Sequence, residues 1–469
     1  MSGSFTTLFD HQLAAFESAP APTAQDRLDR LGRLRALLMH HRPAIRKALH
    51  ADFRKPPQEV DATEIAPVVI EIDHAIRNLR DWMKPRSHRA PTFLAGTTWE
   101  TRYEPVGPSL ILAPWNYPIT LTLGPLVHAI AAGCPVFVKP SEHTSATAAL
   151  IQNMVSDLLG PEDAVVVQGG PDVAQRLLEL PFRHVHFTGS PRVGRLVMQA
   201  AAAHPASVTL ELGGKTPAVV DGTADLALAA SRIVYGKFAN AGQTCIAPDH
   251  VLVHRDVFTD FLGALVNEIS TRYGETAKDR HATPDLARIV TPEHFERQVR
   301  LLDDATRLGA RTAFGGGHDS ADRYVEPTLL VNVPDDARVM QEEIFGPILP
   351  IVTYASFEGM LERIRSAQHP LSAYVFSKDD DLARALGARI RTGAICQNET
   401  LLHFVNPEVG FGGIGTSGIG RSHGHAGFQA FSNEQTLMRR RFGAGIVERL
   451  YPPYSSRTTK LVDWLMRLS

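Results

Sequence analysis

Short apolar runs separated by helical segments dominate the chain between residues 108 and 214. The runs are PSLILAP, PVFVKP, AVVVQGG, HVHFTGS and SVTLELGG, and the first four are each followed by a segment with helical spacing of apolar residues. Strands that alternate with helices of about 10–15 residues form parallel sheets, because each connection must cross a face of the sheet. We therefore expect an α/β fold with helices on both faces of a parallel sheet.

The same alternation returns after Gly214, with the runs HVLVHR, YVEPTLL, GPILPIVTY, SAYVFS and GAICQN. It predicts a second doubly wound α/β domain. Before residue 85 the chain shows helical spacing, as in DRLDRLGRLRALLMHH. The Thr-rich and aromatic segment PTFLAGTTWETRYEPVG predicts a β-hairpin. A chain of 469 residues is long enough for two or three such units.

Composition excludes several classes of protein. Lys and Arg number 48 against 50 Asp and Glu, a net charge of −2, which gives no electrostatic case for a nucleic-acid partner. Three cysteines, Cys134, Cys245 and Cys396, without CxxC spacing disfavour disulfides and a metal site. No integral membrane segment is expected, because no apolar run reaches about 18 residues. The N-terminus does not resemble a signal peptide, and we expect a cytoplasmic protein.

One strand-to-helix junction, HVHFTGSPRVG, has the features of a phosphate site. Gly189 permits a tight turn, Ser190 can cap the next helix and Pro191 suits its first position. Such a helix end presents free N–H groups to a phosphate, although an ordinary capped helix has the same sequence. Lys139 and Glu142 end the strand VFVK, where a carboxylate accepts ribose hydroxyls or simply pairs with a lysine.

The runs GFGGIG and GIGTSG, between Gly410 and Gly418, match the spacing GxGxxG of dinucleotide-binding loops. That spacing carries meaning only after a strand and at the start of a helix. Here it follows FVNPEV and leads into more glycine and Arg421. We expect a structural loop at this place.

Cys245 lies among small and polar residues in NAGQTCIAPD, not in an apolar run. A reachable cysteine acts as a nucleophile when its thiolate is stabilised, although a small buried thiol also fits this stretch. Asn116 in PWNYP could donate to an oxyanion, and Glu211 in LELGGK could act as a base if burial raises its pKa. Glu343 and Phe345 follow in QEEIFGP. Each residue alone also fits a structural role.

Six motifs occur in order along the chain: PWNYP, FVKPSE, HFTGSPRVG, LELGGK, NAGQTC and EEIFGP. Together they resemble the NAD(P)-dependent aldehyde dehydrogenase superfamily, and the resemblance spans Arg102 to Ser432. The short N-terminus, the helix EIDHAIRNLRDWMKP and the closing YPPYSS resemble the class 3 branch, which includes fatty and aromatic aldehyde dehydrogenases.

The resemblance implies the chemistry of the site. Cys245 would attack the aldehyde carbon, Asn116 would hold the oxyanion and Glu211 would activate the water that releases the acid. The residues expected to bind the cofactor are Trp115, Lys139, Glu142, Gly189, Ser190, Gly194, Glu343 and Phe345. The residues expected to line the substrate tunnel are Tyr117, Thr244, Ile246, His403 and Phe404.

The resemblance also implies an architecture of several units. The NAD-binding domain would comprise residues 1–88 and 105–212, and the catalytic domain residues 213–406. An oligomerisation arm would comprise 89–104 and 407–440, followed by a tail at 441–469, and the chain would form a homodimer. The amphipathic run KLVDWLMRL in the tail would pack against protein or touch a membrane surface.

The expected substrate is an apolar or aromatic aldehyde, because Tyr117 and Ile246 flank the oxyanion donor and the nucleophile. The expected cofactor is NAD, with NADP also accepted, since Glu142 would repel a 2′-phosphate. Two alternatives stay open. One is transfer of the thioester to coenzyme A, against which Glu211 argues, and the other is a non-catalytic, crystallin-like protein.

Overall fold

Five helices form the N-terminal segment of the computed structural model, which describes residues 2–91, 94–367, 369–440 and 447–467. They are α1 (Ser2–Ser18), α2 (Ala24–His40), α3 (Arg42–Phe53), α4 (Pro57–Val60) and α5 (Ala66–Trp82), with a π turn at Asp61–Ile65. The Thr23 hydroxyl accepts the Asp26 N–H and Asp26 accepts the Thr23 N–H, which begins α2. The same helix buries Leu31, Leu34 and Leu38, the spacing on which the helical prediction was based.

The predicted hairpin is present, but it begins earlier than the sequence indicated. β1 (Arg86–His88) pairs antiparallel with β2 (Thr97–Pro105). Pro91 has no N–H for a strand ladder, so the first strand ends ahead of it. Residues 92–93 of the predicted hairpin lie outside the described residues.

The first predicted sheet is confirmed as parallel. Its elements are β3 (Ser109–Leu112), α6 (Thr120–Ala132), β4 (Val136–Lys139), α7 (Ser145–Leu158), β5 (Ala164–Val166), α8 (Pro171–Leu178), β6 (His184–Gly189), α9 (Pro191–Ala201) and β7 (Ser207–Leu212). The strands lie in the order β7-β6-β3-β4-β5, and every pairing among them is parallel. From β3 the chain builds outward through β4 and β5 on one side, and it then crosses to form β6 on the other side of β3. Ligands of such sheets bind at the carboxyl ends around this switch point.

The second predicted sheet is also present, with seven strands. Its region contains β8 (Pro217–Val220), α10 (Leu226–Phe238), β9 (His250–His254), α11 (Phe258–Tyr273), α12 (Ala277–Ala282), α13 (Pro292–Arg307), β10 (Arg311–Phe314), β11 (His318–Asp319), β12 (Tyr324–Val325), β13 (Thr328–Val331), α14 (Arg338–Gln341), β14 (Ile348–Tyr354), α15 (Phe357–Ser366), β15 (Ser372–Phe376), α16 (Leu382–Arg389) and β16 (Ala394–Gln397). The order is β10-β13-β14-β9-β8-β15-β16, with only the edge strand β10 antiparallel to its neighbour.

One predicted strand of this region is divided in the structure. YVEPTLL was expected as a single run, but β12 and β13 belong to different sheets. Pro327 separates them, because proline cannot donate a ladder hydrogen bond.

The C-terminal segment returns to both the hairpin and the first sheet. Its elements are β17 (Gly418–Ile419), α17 (Gly424–Ala430), β18 (Ser432–Arg440) and α18 (Ser456–Met466). β18 pairs antiparallel along all of β2, from Ser432 opposite Pro105 to Arg440 opposite Thr97. β17 adds to the edge of the first sheet, with Gly418 opposite Glu211. Among the described residues, no helix is long and apolar enough to cross a membrane.

The glycine-rich run before β17 is a structural loop, as predicted. A Cβ atom at Gly418 would lie 2.3 Å from the carbonyl oxygen of Leu210, so only glycine lets this strand approach β7. At Gly413 a Cβ atom would lie 2.1 Å from the carbonyl oxygen of Ser417. The glycines therefore serve close backbone packing beside Glu211.

Candidate active site

The carboxyl ends of four neighbouring strands carry predicted site residues. Trp115 and Asn116 lie beyond the end of β3, Lys139 ends β4, Gly189 ends β6 and Glu211 lies near the end of β7. Because the strands are parallel, these ends lie at one edge of the sheet. The fold thus brings together residues that are up to 96 positions apart along the chain (115 to 211).

Cys245 follows a turn with unusual backbone geometry. The turn spans Ala239–Gly242, in which Asn240 and Ala241 have φ values of 54° and 51°. Asparagine tolerates this left-handed region, but a residue such as alanine adopts it only under constraint. The constraint includes Glu59, whose side chain accepts the Asn240 N–H at 2.8 Å. Gly242 completes the turn, since a Cβ atom there would lie 2.3 Å from the carbonyl oxygen of Gly346.

Asn116 is joined directly to the segment that carries Cys245. Its Nδ2 donates to the carbonyl oxygen of Gln243 at 3.0 Å. Asn240 Nδ2 donates to the carbonyl oxygens of Asn116 at 2.8 Å and Gln243 at 3.1 Å. Asn116 is 3% exposed, so these bonds fix the plane of its amide beside the cysteine loop.

Glu211 has the environment that the sequence suggested for a base. It is buried, and burial raises the pKa of its carboxyl above the usual value despite hydrogen bonds that lower it. The hydroxyl of Ser422 donates to Oε1, and Thr188 Oγ1 donates to Oε2 at 3.3 Å. Ser422 was not predicted as a site residue, because its run was interpreted only as a glycine loop.

Cys245 is partly exposed, but the surrounding residues do not stabilise its thiolate. Burial, and then the negative charges of Glu343 and Glu211, raise the pKa of the thiol far above its usual range. The role of Cys245 as nucleophile stays a prediction.

The residues predicted for the adenosine end of a dinucleotide are well placed. Lys139 Nζ and Glu142 Oε2 lie 3.0 Å apart at the end of β4, with the lysine buried and the glutamate partly exposed. Ser190 caps α9 by accepting the Val193 N–H at 3.3 Å, and Pro191 is the first residue of that helix. A Cβ atom at Gly194 would lie 2.6 Å from Cδ2 of Leu212, so glycine allows α9 to lie close against β7.

A second group of residues predicted to bind the cofactor comprises Glu343, Phe345 and Trp115. Burial, and next the charge of Asp249, raise the pKa of Glu343 to about 8. Its Oε1 atom is buried and has no hydrogen-bonding partner among the residues that the structure describes. The rings of Trp115 and Phe345 lie 5.3 Å apart, edge to face, and Phe345 has a φ of 51°.

These features fit NAD or NADP. An unpartnered buried carboxylate oxygen suits a ribose hydroxyl, and the N-terminus of α9 suits a pyrophosphate. Gly213 leaves room for Glu343, because a Cβ atom there would lie 2.1 Å from Glu343 Oε2. In the described part of the chain, no group of three His, Cys, Asp or Glu side chains could hold a metal ion.

An apolar cluster packs against the cysteine. Ile246, Leu371 and Phe411 form a buried cluster against which Cys245, Leu401 and Phe404 pack. The rings of Phe404 and Phe411 lie 5.0 Å apart. Ile246 and Phe404 were predicted for the substrate tunnel, whereas Leu371, Leu401 and Phe411 were not.

The other predicted tunnel residues, Tyr117, Thr244 and His403, make polar contacts. Tyr117 Oη and Thr244 Oγ1 are hydrogen-bonded at 2.7 Å. His403 Nε2 lies 2.7 Å from Ser372 Oγ, and burial lowers the pKa of His403 to about 4. His403 is therefore uncharged at neutral pH.

A buried ion pair beneath Tyr117 was missed by the sequence reasoning. Lys55 and Glu64 are fully buried, with Nζ and Oε1 2.9 Å apart, and Lys55 Nζ lies 3.8 Å from the centre of the Tyr117 ring. Glu64 also accepts the N–H groups of Ile119 and Thr120, each at 3.1 Å. Charged residues in a helical segment resemble an exposed face, so the sequence gives no signal for this pair.

Known proteins share this fold. Residues 6–437 match the Aldehyde dehydrogenase family, and the chain belongs to this family. The chain is therefore an oxidoreductase that uses NAD or NADP.

The relatives cover nearly the whole chain. The 4,4'-diaponeurosporen-aldehyde dehydrogenase of Staphylococcus aureus (strain NCTC 8325 / PS 47) is 39% identical over 446 residues, 95% of each chain. Aldehyde dehydrogenase family 3 member B1 of Rattus norvegicus is 40% identical over 449 residues, 96% of this chain and 94% of that one. The resemblance to the class 3 branch is thereby confirmed.

Solved structures confirm the fold. The substrate-bound state of Staphylococcus aureus AldH is 38% identical, with a TM-score of 0.93 over 98% of this chain and 99% of that one. The NAD+ complex of aldehyde dehydrogenase from Bacillus cereus is 26% identical, with a TM-score of 0.85 over 94% of this chain and 89% of that one.

The raised pKa of Cys245 makes its alkylation depend on pH. We expect the rate of reaction with iodoacetamide to keep rising above pH 9, whereas an ordinary thiol with a pKa of about 8.5 levels off. At pH 9, Glu343→Gln removes a neighbouring negative charge, so alkylation should be about three- to tenfold faster, equivalent to about half to one pKa unit. Peptide mapping by mass spectrometry measures the rate at each cysteine.

Glu342→Gln is the matched control for this experiment, because Glu342 is not among the groups that raise the pKa of Cys245. A plateau in the alkylation rate near pH 7, or equal rates in the two variants, would contradict the expected electrostatics.

Proposed function

We propose that the chain oxidises an apolar aldehyde to its carboxylic acid, with Cys245 as nucleophile, Asn116 as oxyanion donor and Glu211 as base. The observation that carries the proposal is the hydrogen bond that joins Asn116 to the segment of Cys245, which itself packs on the apolar cluster of Ile246 and Phe411. A polar reaction centre beside apolar side chains suits a substrate with one carbonyl group and an apolar body.

The first step is addition of the Cys245 sulfur to the carbonyl carbon. The thiol loses its proton as the S–C bond forms, and Glu211, whose pKa is raised by burial, takes it. The oxygen becomes an oxyanion, which accepts the second N–H of the Asn116 amide, the first being held by Gln243. Losing one such donor typically costs about 10²–10³ in rate.

Oxidation and hydrolysis complete the cycle. Bound NAD(P)+ accepts the hydride that leaves the tetrahedral carbon. A thioester on Cys245 remains, and Glu211 removes a proton from the water that attacks it. The new C–O bond replaces the C–S bond, and the cysteine leaves as a thiolate.

Aldehydes of different shape and polarity test the substrate class. The relatives named for 4,4'-diaponeurosporen-aldehyde and 4,4'-diapolycopene-4,4'-dial support the proposal, as do the hydrophobic side chains around Cys245. We expect kcat/KM to be highest for medium- or long-chain aliphatic and aromatic aldehydes, followed by absorbance of the reduced cofactor. A preference for charged or hydroxylated aldehydes would disprove this substrate class.

Glu211→Gln tests the chemical assignment. We expect both formation of the thioester and its hydrolysis to slow, each by about 10²–10⁴-fold, because Glu211 acts as the base in both steps. Cys245→Ala should show neither burst nor turnover. Rapid turnover of Glu211→Gln in the absence of coenzyme A would refute the role of Glu211, and a strict need for coenzyme A in the unmodified protein would refute hydrolysis.

We further propose that NAD is preferred over NADP and that Glu142 causes the preference. The Glu142 carboxylate is partly exposed beside Lys139, where it would repel a 2′-phosphate. Glu142→Gln should therefore raise kcat/KM for NADP relative to NAD by about three- to tenfold. Asp157→Asn, on the exposed side of α7, removes the same charge as a control. An unchanged ratio in Glu142→Gln would assign the preference elsewhere.

We infer that the chain forms a homodimer through the three-stranded sheet β1-β2-β18. We also assign an NAD-binding domain to residues 1–88 and 105–212, a catalytic domain to 213–406, an arm to 89–104 and 407–440, and a tail to 441–469. The antiparallel ladder between β2 and β18 supports this role for the arm, because a sheet edge can pair with a second chain. A monomer in sedimentation velocity at micromolar concentration would rule the dimer out.

A cytoplasmic location is part of the same proposal. Cys134, Cys245 and Cys396 are all free thiols, and a nucleophilic cysteine must stay reduced. The C-terminal helix α18 exposes Val462, Trp464 and Met466, and we assign this face to packing against protein. Recovery of the protein in the membrane fraction of a cell lysate would contradict both assignments.

A further inference from the structure

Glu71 and His128 form a second buried pair of titratable side chains, which shares a cavity with Glu211. Glu71 on α5 and His128 on α6 are 6% and 2% exposed. His128 Nε2 and Glu71 Oε1 lie 2.9 Å apart, and Glu71 also accepts the Gly424 N–H at 2.6 Å. Nδ1 of His128 is buried and has no hydrogen-bonding partner among the described residues. A histidine and a carboxylate at hydrogen-bonding distance can share a proton between them.

A small cavity connects this pair to the proposed base. Glu211, Ser422, His128 and Glu71 all line it, together with Phe404. The space open to the centres of water molecules is about 20 Å³, which is enough for one ordered water. Since Ser422 donates its hydroxyl hydrogen to Glu211, the hydroxyl and one water can link the two carboxylate sites.

The proposed reaction creates a need for such a link. Glu211 takes a proton from the thiol and later one from water, and it must lose the first before it can take the second. Its side chain is 5% exposed, so direct exchange with bulk water is restricted.

We propose that Glu71 and His128 form a proton-relay dyad, which receives each proton from Glu211 through Ser422 and water in the cavity; this inference rests on the proposed role of Glu211. The Glu71–His128 pair takes the proton and holds it between Glu71 Oε1 and His128 Nε2. The proton then leaves to solvent past Pro67 and Gly124, which are partly exposed members of the cavity wall. No bond other than those to the transferred proton changes, so the dyad is restored in each cycle.

Other ionisable groups of the same layer do not compete for this role. They are His74 on α5, His186 on β6, His423 next to Ser422, and His425 on α17. His74 Nδ1 lies 3.4 Å from the exposed Glu408. Burial lowers the pKa of His423 to about 4 and that of His186 further, which keeps both neutral. For Glu71, burial acts to raise the pKa, but the hydrogen bond and charge of His128 prevail and lower it to about 2.

The test separates formation of the acyl-enzyme from its hydrolysis. In His128→Gln we expect the burst of reduced cofactor to keep its amplitude and rate, while decay of the thioester slows about tenfold, less than the 10²–10⁴ lost with a general base. The decay should also become faster with increasing concentration of buffer base, because the buffer replaces the dyad as proton acceptor. Rapid quenching and mass spectrometry of the Cys245 peptide follow the thioester directly.

His425→Gln is the matched control, because His425 packs on Phe428 in the same layer but does not line the cavity. Its thioester should decay as fast as in the unmodified protein, without dependence on buffer. Glu71→Gln removes the counter-charge and provides a second test should His128→Gln fail to fold. Unchanged decay in both dyad variants, or a slowed burst without buffer dependence, would overturn the relay. Rapid turnover of Glu211→Gln would instead overturn the assignment of the base.

Discussion

The left-handed turn ahead of Cys245 is the constraint on which the reaction centre depends. Forcing a residue such as Ala241 into this conformation costs about 1–2 kcal/mol, so the surroundings must impose it. The Glu59 carboxylate fixes the turn by accepting a hydrogen bond from the Asn240 N–H. The amide of Asn240 then fixes the carbonyl oxygens of Asn116 and Gln243. One strained turn thereby sets the nucleophile and the oxyanion donor in a single hydrogen-bonded unit.

Burial, and then the negative charges near Cys245, raise the pKa of its thiol and disfavour the thiolate. Cys245 lies with two carboxylates, Glu211 and Glu343, whose pKa values are themselves raised by burial. A buried site cannot hold three negative charges at low cost. Ionisation of the Cys245 thiol is therefore disfavoured in the protein by itself. The apolar cluster of Ile246, Leu371 and Phe411 packs against it.

The sequence was sufficient to predict the sheets, because strands buried on both faces appear as apolar runs between helices. Cys245, Asn116 and Glu211 became candidates because strand ends and loops place polar residues where an apolar run stops, and the family resemblance then supplied their roles, which stay predictions. Glu59 was not found, since a glutamate in a helical segment gives the same pattern whether it faces solvent or the core. Its burial is decided by tertiary packing against the loop at Asn240, which no local pattern contains.

The strand pairing of the C-terminal segment has a consequence for the order of folding. Glu211 obtains its hydroxyl partner from Ser422 and its neighbouring strand from Gly418, which lie 211 and 207 positions further along the chain. Contacts between residues so far apart in sequence carry a large loop-closure entropy and form slowly. The surroundings of this carboxylate are therefore complete only once the C-terminal segment has docked on the first sheet.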